Sequence, residues 1–274
     1  MNKIGIQGIK GSNHHIVALN YYNDEVLLNE CLSFDELVDS LLTQKSEQAI
    51  MAIENTIAGS IIPNYALIDK YDLYISGEYY LNIHHHLMAL PNQVLEDITE
   101  VYSHPMALLQ CKEFFKKHKH IKLVEDVDTA EVAKRISEQK LKGIAAIAPK
   151  NAAEIYDLSI VEDEIQTIKN NATRFVILQT EKLKNGIEEI NKASLKFELD
   201  HKRGSLAAIL NVISDCKLNL TKIQSLPKIE TPWKYAFFVD VTFDKYDEYQ
   251  KATSIIEIMA TDFKVLGEYK NGRL

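Results

Sequence analysis

Lys3-Ile4-Gly5-Ile6-Gln7-Gly8-Ile9-Lys10-Gly11-Ser12-Asn13-His14 is the stretch on which the fold turns. Lys3–Gln7 reads as a strand, and the segment from Asn13 to Tyr22 as a helix. Between them Gly8, Gly11 and Ser12 form a strand-to-helix turn, whose free backbone N–H groups can hold an anion at a helix N-terminus. A Gly-x-x-Gly alone is an ordinary turn in most proteins, so its surroundings must decide.

Outward from this turn, short apolar runs alternate with amphipathic segments. Val26–Leu32 is strand-like, and Ser33-Phe34-Asp35-Glu36 opens a helix with a capping box in which Glu36 reaches back to the cap. Ala49–Glu54 is a buried-type strand, and the segment from Ser60 to Lys70 reads as helical. Glu78–Ala89 is extended and Val101–Ser103 a short strand. Pro105 then opens a helix to about Lys117. Leu123 and Val124 mark a strand, Asp128-Thr129-Ala130-Glu131 a helix start, and Ile144–Ala148 another strand. Pro149 starts a helix to Tyr156, and Arg174–Gln179 is a last strand. This alternation is that of an α/β fold with a largely parallel sheet.

From Thr180 to Lys192 the chain turns polar and charge-rich around Gly186, as a linker does. Beyond it, strands at Ser194–Leu199, Asn219–Ser225, Tyr235–Phe243 and Phe263–Tyr269 enclose helices at Ser205–Cys216 and Tyr246–Ala260. The order β-α-β-β-α-β is the ferredoxin-like split, an α+β unit.

With 274 residues there is room for two ordinary domains. A net charge of −8 disfavours nucleic acid as a partner, because neutralising phosphates takes clustered Lys and Arg. It leaves open a small anionic substrate, which feels the local field of its cleft. The N-terminus has no secretory core, and no stretch approaches the roughly 20 apolar residues of a membrane helix. Cys31, Cys111 and Cys216 are odd in number and widely spaced, so reduced thiols in a cytoplasm are the plain reading.

Five segments carry a more specific signal. They are Gln7-Gly8-Ile9-Lys10-Gly11-Ser12-Asn13-His14, Ala52-Ile53-Glu54-Asn55-Thr56-Ile57-Ala58-Gly59-Ser60, Ser103-His104-Pro105-Met106-Ala107-Leu108-Leu109-Gln110-Cys111, Asp128-Thr129-Ala130 and Asn171-Ala172-Thr173-Arg174-Phe175. In this order they resemble the motifs of the prephenate dehydratases, and the resemblance continues into the second domain. It implies a catalytic domain over 1–180 of two lobes, like periplasmic solute-binding proteins, with the active site in the cleft between them. It also implies an ACT regulatory domain over 193–274. The reaction would convert prephenate to phenylpyruvate, carbon dioxide and water in L-phenylalanine biosynthesis. No extra N-terminal helical segment precedes the first strand, so a fused chorismate mutase is not expected.

Prephenate is a dianion with a ring hydroxyl, and aromatisation drives its loss of carbon dioxide and water. Such a reaction needs no metal, redox cofactor or covalent nucleophile. It needs a grip on the carboxylates, hydrogen-bond or proton donation to the leaving hydroxyl, and a poorly solvated ring carboxylate. Arg174 offers a planar bidentate fork for a carboxylate, where a strand-end salt bridge is the alternative. Thr173 is implied as the hydroxyl that assists departure, against the alternative of a threonine satisfying a backbone group. Phe175 has a supporting role or packs in the core. Gly11, Ser12, Asn55, Thr56, Gly59 and His104 are the expected substrate-binding residues. Glu54 reads as a general acid or a structural hydrogen-bond partner, His104 as a substrate contact or a helix cap, and Gln110 and Cys111 as packing residues.

Relative to the usual family pattern Ala52 replaces proline, Thr56 serine, Met106 glutamine, and Asp128 serine or threonine. In the second domain Gly204, Ser205, Leu206, Asn219 and Leu220 are implied to bind phenylalanine at a dimer interface, in a homodimer or a tetramer of dimers. Gln224 and Leu226 stand there for a glutamate and an arginine, and losing both charges together reads as a compensated change. The His84-His85-His86 run puts His84 and His86 on one strand face, but no further ligand at metal spacing accompanies them. The motifs do not separate prephenate from arogenate as substrate.

Overall fold

The computed structural model describes residues 2–23, 26–182, 189–200, 202–227 and 234–273. The chain divides into two compact units, one of Met1–Gly59 and Tyr80–Phe175, the other of Ser60–Tyr79 and Val176–Leu274. Each is a mixed α/β assembly.

The first unit opens as its sequence predicts. Strand β1 (Asn2–Gln7) leads through the glycine turn into α1 (Asn13–Tyr22), then β2 (Val26–Cys31), α2 (Phe34–Leu42) and β3 (Gln48–Asn55). β1 pairs in parallel with β2 and β3. Ile4, Ile6, Ile50 and Met51 are fully buried, which is why these runs lack alternation with polar residues. Ser33 caps α2 by accepting from Glu36 N, but the Glu36 carboxylate accepts from Leu32 N, one residue before the cap.

A two-residue strand β4 (Gly59–Ser60) and helix α3 (Ile62–Lys70) follow, so helix begins two residues later than expected. Then come β5 (Tyr74–Asn82), β6 (His86–Ala89), β7 (Glu100–Ser103), α4 (Pro105–Gln110), α5 (Lys112–Phe115) and β8 (Lys122–Glu125). The helix expected from Pro105 to Lys117 is interrupted at Cys111, whose N–H is shared between Ala107 O and Leu108 O. The chain continues through α6 (Thr129–Gln139), β9 (Ile144–Ala148), α7 (Lys150–Ile155), β10 (Ser159–Glu162) and β11 (Ala172–Gln179). A second sheet has the order β10-β6-β9-β7-β8, parallel at β7–β8 and β7–β9 and antiparallel at β6–β9 and β10–β6. Strand β10 escapes the sequence reading, because its four half-buried residues show no alternation.

In the second unit β12 (Lys192–Glu198), α8 (Ser205–Asp215), β13 (Asn219–Pro227), β14 (Tyr235–Thr242), α9 (Tyr246–Met259) and β15 (Asp262–Tyr269) keep the expected βαββαβ order. Their strands are ordered β13-β14-β12-β15, all antiparallel. Ala193, Leu195 and Phe197 of β12 pack into a core with Ile209, Ile213, Tyr249 and Ile256 from α8 and α9. β15 also meets β5 in parallel at Gly267 and Ile75. A Cβ on Gly267 would lie 2.3 Å from Ile75 O, so only glycine allows that backbone approach. Within the expected linker, residues 183–188 with Gly186 lie outside the described residues. Among the described residues no helix is long and apolar enough to cross a membrane.

Candidate active site

The end of β3 and the start of β11 meet through side chains of Asn55, Thr56, Asn171 and Thr173. Thr56 N donates to Ala172 O (2.9 Å) and its hydroxyl accepts from Ala172 N (3.0 Å), so the Thr56 side chain completes a backbone ladder. That accounts for a hydroxyl residue at this position. Asn55 Oδ1 accepts from the N–H groups of Ile57 and Ala58, both at 2.9 Å, in an Asx-type turn. Its Nδ2 must then face the other way, donating to Asn171 Oδ1 (2.6 Å) and Thr173 Oγ1 (2.9 Å).

Thr173 Oγ1 is therefore an acceptor towards Asn55, and its own hydrogen points elsewhere. No acceptor for that hydrogen is found among the described residues. Thr173 and Arg174 are 8% and 4% exposed, so both side chains lie where water is scarce and hydrogen bonds are strong. Phe175 is buried and takes the His14 ring edge-on, with centroids 4.9 Å apart. His14 is held neutral: burial pulls its pKa down to about 3.

The glycine turn departs from its expected form. Gly8 N donates to Cys31 O, Lys10 N to the Glu30 carboxylate, Gly11 N to His15 Nδ1 and Ser12 N to Ile9 O. The donors expected to be free at Gly8, Gly11 and Ser12 are thus already committed, to Cys31 O, His15 Nδ1 and Ile9 O, acceptors that only the folded turn brings to them. Ser12 caps α1, accepting from His15 N. Gly11 has φ +94°, and a Cβ there would lie 3.2 Å from Ala152 and Tyr156. Glycine is needed on both counts. A carboxylate faces the same turn, since Asp128 Oδ2 lies 3.0 Å from where a Cβ on Gly8 would be. Asp128 also caps α6 through Oδ1, which accepts from Ala130 N and Glu131 N. Burial raises its carboxyl pKa, against the lowering effect of those two backbone bonds.

His104 is exposed and accepts from Met106 N at 3.2 Å, the geometry of a helix cap. Gly59 is exposed, at φ +80°. Of the two residues expected to pack, Cys111 is buried in the core, whereas Gln110 joins the hydrogen-bond system. Gln110 Oε1 accepts from Asn171 Nδ2 (2.9 Å) and lies 2.8 Å from His85 Nε2. Within the His run, His84 pairs with Glu164 and His86 with Asp163. No group of three or more His, Cys, Asp or Glu suited to a metal ion occurs among the described residues.

In the second unit Gly204 has φ +83° at the start of α8, and Ser205 Oγ donates to Lys202 O. Ser205 and Leu206 border a cavity of about 240 Å³ together with Leu199, Tyr235 and Phe237. Asn219 and Leu220 start β13, opposite Thr242 and Val241. Leu226 is buried and Gln224 bonds the backbone of Ser225, so neither position has an unpaired charge to satisfy.

This mixed α/β fold is shared with solved structures. One is the prephenate dehydratase of Arthrobacter aurescens in complex with L-Phe, 20% identical over 99% of this chain and 90% of that one, with a TM-score of 0.90. Another is GqqA, described as a novel type of quorum quenching acylase, 23% identical over 98% and 97%, with a TM-score of 0.87. At such identities the likeness fixes the fold and leaves the chemistry open. Sequence narrows it. The family model described as prephenate dehydratase matches residues 4–183, and the arogenate dehydratase/prephenate dehydratase 2 of Arabidopsis thaliana is 35% identical over 97% of this chain and 72% of its own length. The chain belongs to the prephenate dehydratase family, as its five motifs lead one to expect.

Proposed function

We propose that this chain is a carbon–oxygen lyase that turns prephenate into phenylpyruvate, water and carbon dioxide, with Thr173 and Arg174 at the reacting centre. The observation that carries the reading is the Asn55–Thr173 hydrogen bond, which commits the threonine oxygen as acceptor and leaves its hydrogen to donate. In the reaction the bond to the ring carboxylate breaks and carbon dioxide departs, the bond's electron pair enters the ring, and the ring hydroxyl leaves as water with a proton drawn from solvent. A hydroxyl is a poor acid, so Thr173 contributes a hydrogen bond to the departing oxygen rather than a full proton. Arg174 holds a carboxylate of the dianion bidentately. Phe175 is kept in place by His14 and walls the site. Asn55 and Thr56 order the neighbouring loop, while Gly11, Ser12, Gly59 and His104 shape the substrate's surroundings through backbone form.

The residues from 1 to 180 would form the catalytic domain, two-lobed like a periplasmic binding protein, and 193–274 an ACT domain. The βαββαβ order and the L-Phe complex of the Arthrobacter aurescens relative support a phenylalanine effector near Gly204, Ser205, Leu206, Asn219 and Leu220. Feedback would operate in a cytoplasmic homodimer or tetramer of dimers. Steady-state turnover of prephenate with and without phenylalanine tests both halves, and a folded chain with no turnover sinks the catalytic one. Calorimetry without phenylalanine binding at millimolar concentration removes the effector. The Arabidopsis thaliana relative's name favours one second reading, arogenate as substrate. Comparing kcat/KM on the two compounds decides it.

A further inference from the structure

The hydrogen-bond system at the start of β11 does not stop at Asn55, and its polarity can be followed bond by bond. It begins at two backbone donors, Ile57 N and Ala58 N, which can only be met by Asn55 Oδ1. Asn55 Nδ2 therefore donates to Asn171 Oδ1, which leaves Asn171 Nδ2 to donate to Gln110 Oε1. The Gln110 oxygen faces a second nitrogen, His85 Nε2, at 2.8 Å, and an oxygen there can only accept. His85 must then carry its proton on Nε2. Reversing any one amide would set two donors or two acceptors face to face at under 3 Å. Reversing all of them would turn the Asn55 amino group onto two backbone N–H groups.

The far end agrees with this polarity. His85 is 5% exposed, and its Nδ1 is buried without a hydrogen-bond partner. A bare imine nitrogen tolerates that position better than a buried N–H or an imidazolium would. The backbone of His85 is clamped by Gln166 Oε1 on its N–H and by Ile165 N on its carbonyl, so the ring is the end of a fixed support. Asn171, 1% exposed, is tied through its own carbonyl to Ile83 N at 2.7 Å.

We infer that His85, Gln110 and Asn171 are positioning residues for Thr173, with His85 the neutral Nε2–H tautomer. Asn171 Oδ1 sets the plane of the Asn55 amide, and that amide forces the Thr173 hydrogen outward. Gln110 and His85 hold Asn171 in the orientation that makes this possible. None of the three needs to touch substrate. The inference rests on the role of Thr173 proposed above.

The test compares Gln110→Leu with Gln110→Glu in the full chain, each checked for folding by circular dichroism. Gln110→Leu removes the acceptor and should lower kcat for prephenate about 10- to 100-fold with little change in KM. Gln110→Glu keeps an acceptor oxygen for both neighbours and should stay within about threefold of wild type. Undiminished kcat in the leucine variant, or equal damage in both, overturns the inference. Should the leucine variant fail to fold, His85→Leu serves in its place, with the same split between kcat and KM expected and normal kcat overturning it. Nitrogen-15 NMR of histidine-labelled protein, with the His85 signals assigned by their loss in His85→Gln, supplies a readout independent of activity. A protonated Nε2 and bare Nδ1 support the chain of bonds, and an Nδ1–H tautomer or an imidazolium overturns it. Absence of prephenate turnover by wild type would sink the functional reading alone, since the tautomer still judges the chain of bonds.

Discussion

Two buried polar surfaces in this molecule are built on opposite principles. In the second unit, the polar face of β12 is ionic. Lys192 reaches both oxygens of Glu78 at 2.9 Å, and Lys196 lies 2.7 Å from Asp262, 3.1 Å from Asp69 and 3.4 Å from Glu198. Burial pulls the Lys196 ammonium down, yet hydrogen bonds to Asp262 and Asp69 outweigh it and raise its pKa. In the first unit, Asn55, Asn171, Gln110 and Thr173 form a system of neutral groups joined to one neutral imidazole. An ionic cluster that pairs its own charges has nothing left for a ligand. A neutral cluster with one hydroxyl hydrogen unspent keeps a donor that no charge of its own has claimed. On the function proposed above, the difference separates a surface that holds a sheet together from one that holds a reagent in place.

The largest effects should fall on opposite quantities in the two regions. Arg174→Ala should lower kcat/KM for prephenate about a thousandfold or more, while circular dichroism and the thermal midpoint show an intact fold. Thr173→Val keeps the shape and removes the donor, and should cost about 10²-fold in kcat. Near-normal turnover in either variant would break the comparison on the catalytic side. Lys192→Met should do the reverse. It removes the ammonium from a Glu78 carboxylate whose side chain is fully buried, and should cost about 3–5 kcal/mol in denaturant unfolding. Its kcat at low temperature should match wild type. A stability loss under about 1 kcal/mol would mean that the pair is no more than a surface bridge.

How much of this contrast the sequence displays depends on distance along the chain. The alternation that gives α/β, the βαββαβ order and the Thr173-Arg174 pair are local patterns, and they are legible. The capping box at Ser33 is visible too, with Glu36 one residue off. Gln110, Asn171 and His85 are not legible as a group, because 61 residues separate Asn171 from Gln110 and 25 separate Gln110 from His85. Gln110 on a helix reads as packing, and His85 inside a His run draws attention to metal rather than to its neighbours in space. The glycine turn misleads in part for the same reason, since Gly8 N and Lys10 N are consumed by Cys31 O and the Glu30 carboxylate, which a later strand brings to them. Likewise β12 alternates Ala193, Leu195 and Phe197 with Lys192, Ser194, Lys196 and Glu198, which reads as a strand with one wet face. Both faces are buried, because Asp69 and Glu78 come from elsewhere in the chain to meet the charges.

Acid sharpens the contrast at an intermediate scale. His14 has its folded pKa pulled to about 3 from 6.5 by burial, so it contributes stability above its unfolded value and loses it as pH falls towards 3. At about 1.4 kcal/mol per unit, the loss between about pH 6.5 and about pH 4 is on the order of 3 kcal/mol. His14→Phe removes the titration, and its unfolding free energy should decline less over that range. If both proteins decline in parallel, His14 is not held neutral, and the packing of its ring on Phe175 needs another account.

Asp128 gives the smallest effect and the closest test, because it is a largely buried carboxylate of the first unit. No lysine or arginine is paired with it among the described residues, unlike the acids that meet β12. Its Oδ1 is committed to the α6 cap, and its Oδ2 faces the glycine turn. Two effects compete there. The helix N-terminus favours the negative charge, burial opposes it, and the raised pKa says that burial prevails. A raised folded pKa means that the stabilising contribution is complete below the ordinary value near 3.8 and is lost as pH rises through the folded value. An asparagine in place of Asp128 would serve equally as a cap, since asparagine and aspartate cap helices about equally well. Asp128→Asn should therefore match wild type in acid and become the more stable of the two as pH rises towards neutrality. Unfolding curves at about pH 3 and about pH 7 measure that gap. A gap that fails to open, or that reverses with rising pH, would show the carboxylate to be welcome as a charge, and the first unit would then share the principle of the second.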